Sequence, residues 1–490
     1  MKKQGKYLLM LSLFVCLFFL SCKQTDKLYV AVSPDYAPYE FVNLNESGQD
    51  QYVGADIDFA HYLAQQMEKE LVIEAMGFTE ALASVQNGRV DLAISGFTYS
   101  SDRAKNYEMS QSYYDDGDGD QVVIVLKENQ DKYSTFEALN KKEVRIGVQD
   151  GSVQADYANE QLPDATKEKI ATINDGILWL KEKKIDAMAI ASNAAEVVMT
   201  TNPEIVICDE KFDVTGKTGL FALAKKGDKE LIAEVNAIID EVKEQGLYET
   251  WLTQAQELYV QLGEAAVEGI VDDAPFIVRI WKMFVNHFGD FMKGLGITLA
   301  LSLLGVLFAA VFGTLLCLMN ISKVRLLRWI STAYIEIIRG IPLLLQLTVI
   351  FLLMPKGMSK FITCVIALVI NSSAYQAEIF RSGIQSVDQG QMEAARSLGL
   401  SYPKAMFKVI LPQAIKNTLP SLANEFVSLI KETSLSSTFY VGDLMTVKSI
   451  ITSTTYDSLT PYVIIAIIYF IITFSLSKLI RWWEKKGATA

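Results

Sequence analysis

The chain has 490 residues, of which 50% are hydrophobic and 21% charged, and its formal net charge is −12. Residues 23–274 carry a net charge of −25, whereas the apolar residues 275–490 carry +10. The acidic half would repel phosphates, which argues against a nucleic-acid-binding protein. Long uncharged stretches in the second half exclude a purely cytosolic globular enzyme, and the two histidines, His61 and His287, lie too far apart in sequence to form a cluster for zinc.

The N-terminus has the pattern of an export signal. Three lysines precede a 14-residue apolar run from Tyr7 to Leu20, which is too short to span a bilayer comfortably. The run ends in Phe19-Leu20-Ser21-Cys22, which resembles the processing box of bacterial lipoproteins, with Cys22 as the lipidated residue; ordinary cleavage and retention as an anchor are the alternatives. We expect residues 1–22 to be a signal peptide and the part that follows to be exported.

Short β-rich runs alternate with helical patterns in the acidic half. The runs are Leu28–Val32, Leu71–Ala75, Val90–Ile94, Val144–Val148 and Ile185–Ile190, and helical spacing is clearest in Ala55–Lys69. Strands separated by helices of this length are typical of βαβ units with mostly parallel sheets. A sequence pattern in which a helix is followed by a strand that begins at Asp91 recurs 95 residues later at Asp186. The repeat predicts two similar α/β lobes with a ligand cleft between them.

Several motifs in this half occur together in a characteristic order: Pro38-Tyr39-Glu40-Phe41, Gly54-Ala55-Asp56-Ile57-Asp58, the segment Ser95–Arg103 and the segment Gly147–Gln154. Together they resemble the polar-amino-acid branch of the solute-binding proteins of ABC importers (family 3 type), over about residues 27–256. The resemblance implies that residues 23–256 form a bilobed α/β domain of the periplasmic-binding-protein type (type II), which closes on an amino acid like a hinged trap.

The resemblance also implies which residues contact the ligand. They are Tyr36, Phe78, Ser95, Gly96, Thr98, Arg103, Val153 and Gln154. Arg103 would bind the α-carboxylate with the serine, glycine and threonine around it, the two aromatic rings would sandwich the ligand, and the last two residues would reach it from the second lobe. A guanidinium suits a carboxylate on chemical grounds as well, because it presents parallel donors and stays charged.

Two positions depart from the family pattern. Ser33 stands where many relatives have an aspartate, and Ala191-Ser192 replace the acidic residue that usually holds the ammonium group of the ligand. The ammonium is therefore left without an obvious counter-charge, and four residues are candidates for that role: Asp35, Glu40, Asp150 and Glu196. The sequence does not decide among them, and it does not identify the amino acid.

Two motifs resemble functional loops only in part. The acidic run Asp115–Asp120 lacks the glycine at the sixth position and the distal glutamate of a calcium loop, so we expect a solvated turn and no metal site. Gly216-Lys217-Thr218 looks like the end of a phosphate-binding loop, but Lys211 stands where that loop needs a glycine. We therefore expect no cofactor and no ATPase in this chain, and ATP hydrolysis by a separate subunit.

The second half predicts a membrane domain. A polar linker begins at residue 257. The residues that follow the linker, up to 293, have the aromatic stripe of an interfacial amphipathic helix. Five spans follow, at 294–322 and near 329–354, 361–380, 418–440 and 458–477. If the acidic half is exported, the loops that must be cytoplasmic hold most of the Lys and Arg residues, in agreement with the positive-inside rule. We expect a multi-pass protein of the cell membrane with its binding domain outside.

The long cytoplasmic loop carries a second resemblance. Glu393-Ala394-Ala395, Gly399 and Ile410-Leu411-Pro412 resemble the coupling-loop signature of bacterial ABC importer permeases, and the resemblance to HisM/GlnP-like amino-acid permeases covers about 290–485. It implies an all-α permease domain at 294–486 whose loop, at about 388–412, fits a cytoplasmic ATP-binding subunit. The residues it assigns to ATPase coupling are Glu393, Ala394, Ala395 and Gly399.

The leading hypothesis is the binding and permease subunit of an ATP-driven importer for a polar amino acid. Because five spans cannot easily enclose a path, we expect a homodimer of the permease with two ATPases. A ligand-gated channel is one alternative, although such receptors interrupt the binding domain with the pore and no Thr-Val-Gly-Tyr-Gly filter is present. An exported lyase or dehydratase on the same lobes is another, but histidines for base catalysis are scarce and the coupling loop has no role there.

Overall fold

The computed structural model describes residues 27–115, 120–214, 218–266, 274–455, 457 and 459–488. The predicted signal peptide with Cys22, most of the acidic run at 115–120, and Gly216 with Lys217 lie outside these residues.

The first lobe is built around a five-stranded sheet. The chain enters it through β1 (Lys27–Val32), β2 (Phe41–Val42), β3 (Tyr52–Val53), α1 (Ala55–Gln66), β4 (Glu70–Ala75), α2 (Phe78–Gln86), β5 (Leu92–Ala93), α3 (Ser101–Asn106) and β6 (Tyr107–Tyr114). Strand β1 is parallel to β4 and β5. The predicted strands Leu28–Val32 and Leu71–Ala75 are confirmed to within one residue, whereas Val90–Ile94 shortens to two residues.

The second lobe has a sheet of its own. Its elements are β7 (Gln121–Leu126), α4 (Phe136–Leu139), β8 (Arg145–Gln149), α5 (Val153–Gln161), β9 (Thr166–Ile170), α6 (Ile173–Lys181), β10 (Ala187–Ala191), α7 (Ser192–Thr201) and β11 (Ile205–Lys211). The strand order is β11-β7-β10-β8-β9. All six residues of β7 are buried, as in strands covered on both faces. The copies of the repeated sequence pattern belong to different sheets, which confirms two lobes.

The chain then returns to the first lobe. Strand β12 (Leu220–Lys225) lies between β5 and β6, antiparallel to both, and α8 (Lys229–Gln245) and α9 (Leu247–Ala266) follow. The linker predicted from residue 257 is therefore wrong at its start, because α9 stays helical to Ala266. Its buried face accounts for this: the Tyr259 ring packs edge-on against Phe41 at 5.1 Å, and its hydroxyl donates to the carbonyl of Ser453 at 2.8 Å.

The second half is entirely helical. Its helices are α10 (Phe276–Asn286), α11 (Phe288–Asn320), α12 (Arg325–Gly340), α13 (Leu343–Leu353), α14 (Lys360–Gln385), α15 (Gln389–Ser397), α16 (Tyr402–Ala405), α17 (Leu411–Glu432), α18 (Leu444–Thr455) and α19 (Leu459–Ala488), with a π-helical turn at Met406–Ile410 and a 3₁₀ segment at Thr433–Phe439. The amphipathic helix predicted up to residue 293 is not continuous, because His287 leaves helical geometry with φ −106° and ψ 21°.

Three described helices are long and apolar enough to cross a membrane: α11, α14 and residues 459–482 of α19. Helices α12 and α13 pass the same test together but are bent by 109°, so the predicted span at 329–354 is not one straight helix. The helix α17, at the fourth predicted span, does not pass the test, in agreement with the charged residues that weaken its hydropathy.

The bend between α12 and α13 has a local cause. Pro342 has no N–H and forces the preceding residue out of helical geometry, and Ile341 is accordingly extended with φ −106° and ψ 133°. The Gln346 side chain donates to the freed carbonyls of Ile338 at 2.7 Å and Ile341 at 2.8 Å. Backbone groups at membrane depth need such partners because lipid supplies none.

Candidate functional site

A cavity lies between the two lobes, and all eight residues that the sequence predicts for the ligand site line it: Tyr36, Phe78, Ser95, Gly96, Thr98, Arg103, Val153 and Gln154. Asp35 and Glu40, two of the candidate counter-charges, line it as well, and further lining residues were not predicted as contacts: Ser33, Gln149, Ser152, Ile173 and Met188–Ala191. Ser33 and Gln149 lie at the carboxyl ends of β1 and β8, which is where ligands bind in α/β folds. The sequence signal for them was position after a strand, which many loop residues share.

Arg103 is a buried cation in this cavity, with 6% of its surface exposed. It belongs to α3, whose first turn is capped because the Ser100 hydroxyl accepts a hydrogen bond from the Arg103 N–H at 3.1 Å. Its guanidinium donates to the carbonyl of Thr98 at 2.8 Å and, across the cleft, to that of Gly151 at 3.0 Å. Burial lowers the Arg103 pKa to about 10, so the group remains charged at neutral pH.

Within the described ranges, no carboxylate lies within 4 Å of the Arg103 guanidinium. Two carbonyl dipoles are weaker partners than an anion, and a buried charge is costly unless it is paired. The rings of Phe97 and Phe78 lie 5.3 and 5.7 Å from the guanidinium carbon. The arrangement therefore suits an anionic group that enters from outside.

Gly96 forms one wall of the cavity together with Tyr36. Its φ is +55°, and a Cβ at this position would lie 2.6 Å from the Tyr36 ring, so only glycine allows the ring to come this close. The Gly96 N–H donates to Asp56 at 2.7 Å. The Asp56 carboxylate also accepts from the hydroxyls of Tyr113 at 2.8 Å and Tyr248 at 2.6 Å, which fixes the loop that carries the predicted contacts.

Glu40 positions Ser95. The Ser95 hydroxyl donates to the Glu40 carboxyl group at 2.5 Å and accepts from the Ser33 N–H at 3.1 Å. Burial, with the neighbouring Asp56 carboxylate, raises the Glu40 pKa well above its usual value. A group that holds its proton is a poor counter-charge for an ammonium ion, so Glu40 is better suited to orient the serine than to neutralise a ligand.

The second lobe contributes the first turn of α5. The Ser152 hydroxyl accepts from the Ala155 N–H at 3.2 Å, Val153 is buried, and the Gln154 amide donates to Gln121 at 2.7 Å. The positive end of the helix dipole therefore lies at the same cavity as Arg103, and both favour an anion there.

The four candidate counter-charges separate by position. Asp35 and Glu40 line the cavity, whereas Asp150 is half exposed and pairs with Lys169 at 2.7 Å, and the exposed Glu196 is not among the lining residues. Of the two positions that depart from the family pattern in the second lobe, Ala191 lines this cavity and Ser192 lines a neighbouring one.

The first lobe is docked on the membrane half through Arg89. Its guanidinium donates to the carbonyls of Met354 and Pro355 at 3.2 Å and of Met358 at 3.4 Å, and it lies 4.0 Å from the centre of the Phe351 ring. These carbonyls belong to the turn after α13, so one arginine of the binding lobe bonds to three backbone groups of the loop that ends this helix.

Further charged contacts surround this junction. Lys356 pairs with Asp91, and Lys360 lies 3.7 Å from Glu74. The N–H of Gly77 donates to the carbonyl of Thr438 at 3.0 Å. The positive charges of the membrane half thus meet the acidic surface of the binding domain.

The second lobe contacts the membrane half at Asp175. The Lys448 ammonium lies 3.9 Å from its carboxylate, and the Tyr462 hydroxyl lies at 3.4 Å. Lys448 is buried and lies 4.0 Å from the centre of the Tyr462 ring. Both lobes are therefore in contact with the helices below them.

The predicted coupling loop forms a short helical unit. Helix α15 is capped by the Asp388 side chain, which accepts from the Gly390 N–H at 2.7 Å. Within this helix Glu393 and Ala394 are exposed and Ala395 is buried. Gly399 then turns the chain with φ +82°, a conformation that favours glycine, and a Cβ there would meet open space.

Large apolar side chains are exposed around this turn. Leu398 is 85% exposed, Phe407 72% and Tyr402 57%. They lie outside the three described helices that are long and apolar enough to cross a membrane. Exposed apolar residues grouped in this way are typical of a protein–protein contact, and the sequence signature did not identify them.

A second polar cavity, of about 490 Å³, opens in the membrane half between α12, α14 and α17. Its lining includes Arg339, Tyr375, Glu378 and Glu425. The Glu425 carboxylate accepts from the Ser372 hydroxyl at 2.8 Å. Charged residues within membrane helices usually face a path or a bundle interior, and this cavity is only partly enclosed.

Two protein families match the chain. Residues 28–254 match the family "Bacterial extracellular solute-binding proteins, family 3", and residues 303–487 match "Binding-protein-dependent transport system inner membrane component". The two matches correspond to the bilobed domain and to the helical domain.

Curated relatives match the helical half. The probable glutamine ABC transporter permease protein GlnM of Bacillus subtilis is 38% identical over 208 residues, which are 42% of this chain and 96% of that protein. The L-cystine transport system permease protein TcyB of the same organism is 40% identical over 203 residues, 40% of this chain and 86% of that protein. A solved amino-acid ABC transporter substrate-binding protein from Streptococcus pneumoniae, bound to L-arginine, is 29% identical, with 48% of this chain and 95% of that one covered and a TM-score of 0.45.

Proposed function

Because this chain belongs to the amino-acid ABC transporter permeases and joins to the permease a family 3 solute-binding domain, we propose that it captures a polar amino acid and passes it through its own membrane domain. It is the binding and permease part of an amino-acid ABC importer. We infer an amino acid as the ligand from Arg103. This residue is a buried cation in the interlobe cavity, and its guanidinium donates hydrogen bonds to the carbonyl groups of Thr98 and Gly151.

The proposed ligand contacts divide into three roles. Arg103 pairs with the α-carboxylate, and Thr98 and the first turn of α5 add donors beside it. Tyr36 and Phe78 contact the body of the ligand through their rings. Glu40 holds Ser95 in place through their hydrogen bond, so that the serine hydroxyl stays at the edge of the pocket.

A cytoplasmic ATP-binding subunit drives the transport. The support for this partner is the coupling loop, where Glu393, Ala394, Ala395 and Gly399 lie next to the exposed Leu398 and Phe407. A subunit that covers this surface would bury apolar area and gain its free energy of association from that burial. ATP is hydrolysed in the partner, and the binding domain lies on the opposite, extracytoplasmic side.

The permease works as a dimer of two identical chains. The support is the polar cavity lined by Arg339 and Glu425, which the helices of one chain enclose only in part. A translocation path must be closed to lipid, so a second surface has to cover this opening. A second copy supplies it with the same residues, as isologous interfaces do.

A ligand-gated channel and an exported lyase or dehydratase are not favoured by the comparisons.

The test is ligand binding by the full-length chain in lipid nanodiscs, measured by calorimetric titration. A panel of glutamine, glutamate, arginine, histidine and cystine covers the polar amino acids by charge. Saturable binding of at least one of them, at one site per chain, is expected. Binding of none, while a sugar or a peptide binds, would overturn the proposal.

A further inference from the structure

Asp35 is a partly buried acidic residue in the interlobe cavity. The residue follows β1 and lines the pocket that also contains Arg103. One carboxylate oxygen accepts a hydrogen bond from the Ser33 hydroxyl at 2.8 Å. The other oxygen, Oδ2, is buried and has no hydrogen-bond partner within the described part of the chain.

The charges around Asp35 do not compensate it. No described Lys or Arg lies within 4 Å of its carboxylate, and the charge that acts on its pKa is the like charge of Asp175. Burial and this neighbour raise the Asp35 pKa to about 6, which leaves the group mainly ionised at pH 7. A carboxylate oxygen that is buried without a partner costs free energy. A cation bound at this position would offset that cost.

The cavity therefore has a positive group and a negative group that form no ion pair with each other among the described residues. Arg103 bonds to Thr98 and Gly151, whereas Asp35 bonds to Ser33, so the two share no partner. The α-ammonium of an amino acid is two bonds from its carboxylate carbon, so its acceptor has to be close to Arg103. A carboxylate in different surroundings instead suits a cation at the end of a side chain.

We infer that Asp35 is the counter-charge for a positively charged side chain, and that the ligand is a basic amino acid such as arginine, lysine or ornithine. The inference rests on the proposed function, since it places the α-carboxylate at Arg103. It also explains how the pocket keeps an anionic contact although Ser33 stands where many relatives have an aspartate: Asp35, two residues later, supplies the charge that Ser33 lacks and is hydrogen-bonded to it.

The test compares L-arginine and L-lysine with L-glutamine and L-glutamate by calorimetric titration of the full-length chain in nanodiscs. We expect the two basic amino acids to bind at least about 30-fold more tightly than glutamine, because a desolvated charge pair is lost with the neutral ligand. The variant Asp35→Asn keeps the shape and removes the charge, so it should lose about the same factor for arginine and little for glutamine. The control Asp150→Asn removes a half-exposed carboxylate outside the lining and should change neither.

Three results decide the matter. Tighter binding of glutamine than arginine would overturn the basic-ligand inference and leave the amino-acid importer intact, whereas binding of no amino acid would overturn the proposed function itself. An equal loss for arginine and glutamine in Asp35→Asn would assign Asp35 to the α-ammonium and overturn the substrate class. Thermal unfolding of the empty variant separates these from misfolding, because removal of an unpaired buried charge should leave its Tm unchanged or raised.

Discussion

Arg103 is the side chain on which the proposed ligand contacts depend most. Truncation in Arg103→Ala leaves the ligand carboxylate desolvated and unpaired, and the loss of one partner of such a pair costs about 2–5 kcal/mol. At ~1.4 kcal/mol per decade, the affinity should fall by roughly 30-fold or more. Arg103→Lys should recover only part of it, because an ammonium cannot donate the same paired bonds. Titration of the full-length variants measures both; affinities within about threefold of the unchanged chain would show that the pocket assignment is wrong.

The pH dependence of binding tests Asp35 independently. Its pKa is raised to about 6, so the carboxylate is charged above that pH and neutral below it. Affinity for arginine should be constant from pH 7 to 8 and fall below pH 6, by up to about tenfold per pH unit for one proton. Asp35→Asn should remove this dependence.

The titratable groups that face Asp35 are Glu40, Asp175 and Tyr440. Glu40 keeps its proton because its pKa is raised well above the usual value, and Asp175 is held near Lys448. Tyr440 is neutral throughout this range because burial raises its pKa far above neutral. A fall in affinity that persists in Asp35→Asn would therefore assign the titration to another group.

The residues of the site differ in how far the sequence predicted them. Arg103 and Gly96 belong to a motif of the family that the sequence resembles. Such a motif allows ligand contacts to be predicted, because its side chains contact a ligand in many relatives. Asp35 was one candidate of four, because the choice depends on which carboxylates share a cavity after folding. Asp150 lies within the motif segment Gly147–Gln154 and still faces Lys169 at the surface.

At the scale of elements, the backbone conformation of Gly399 determines which substitution best tests the coupling between the permease and its ATPase. Gly399→Asp adds bulk and charge to the contact surface, but it also places a Cβ at φ +82°, which strains the turn by roughly 1–2 kcal/mol. Leu398→Asp avoids that strain, because Leu398 is 85% exposed and touches little of its own chain.

Leu398→Asp should reduce ligand-stimulated ATP hydrolysis and uptake at least tenfold in proteoliposomes that contain the partner ATPase, because a charge replaces an apolar contact. Ligand affinity should stay unchanged, since the pocket lies in a different domain. The matched control is Val260→Asp, an exposed apolar position on α9 of the binding half, which should leave uptake intact. Full coupling in Leu398→Asp would show that the exposed cluster is not the ATPase contact.

Elements were predictable where one local pattern determines them. Strands such as β1 and β8 are short apolar runs between turn residues, and these became strands in the expected lobes. The bend at Pro342 was missed because hydropathy averaged over a span does not register one missing N–H. Helix α9 extends beyond residue 257 because its apolar face is covered by the membrane half, at Tyr259 and Ser453, and a sequence window contains only one of these partners.

At the scale of the whole molecule, the purified chain should hydrolyse no ATP by itself. In complex with its ATPase, native mass spectrometry should give two copies of this chain and two ATPase subunits, because a second permease surface would close the partly open cavity at Arg339 and Glu425. ATP turnover by the chain alone would contradict the transport-subunit assignment. One chain per two ATPases would contradict the homodimer.

The connection between the two halves has a kinetic consequence. Only nine residues separate Ala266 from Phe276, and fully extended they reach at most about 36 Å. A receptor tethered this closely meets its own pore at an effective concentration on the order of millimolar, so the Arg89 contacts need not be strong, and uptake does not depend on how much free receptor the cell secretes. In a homodimer, two such receptors compete for one entrance. If the proposed homodimer forms, we expect the waiting receptor to slow its neighbour at saturating amino acid, so that transport alternates between them.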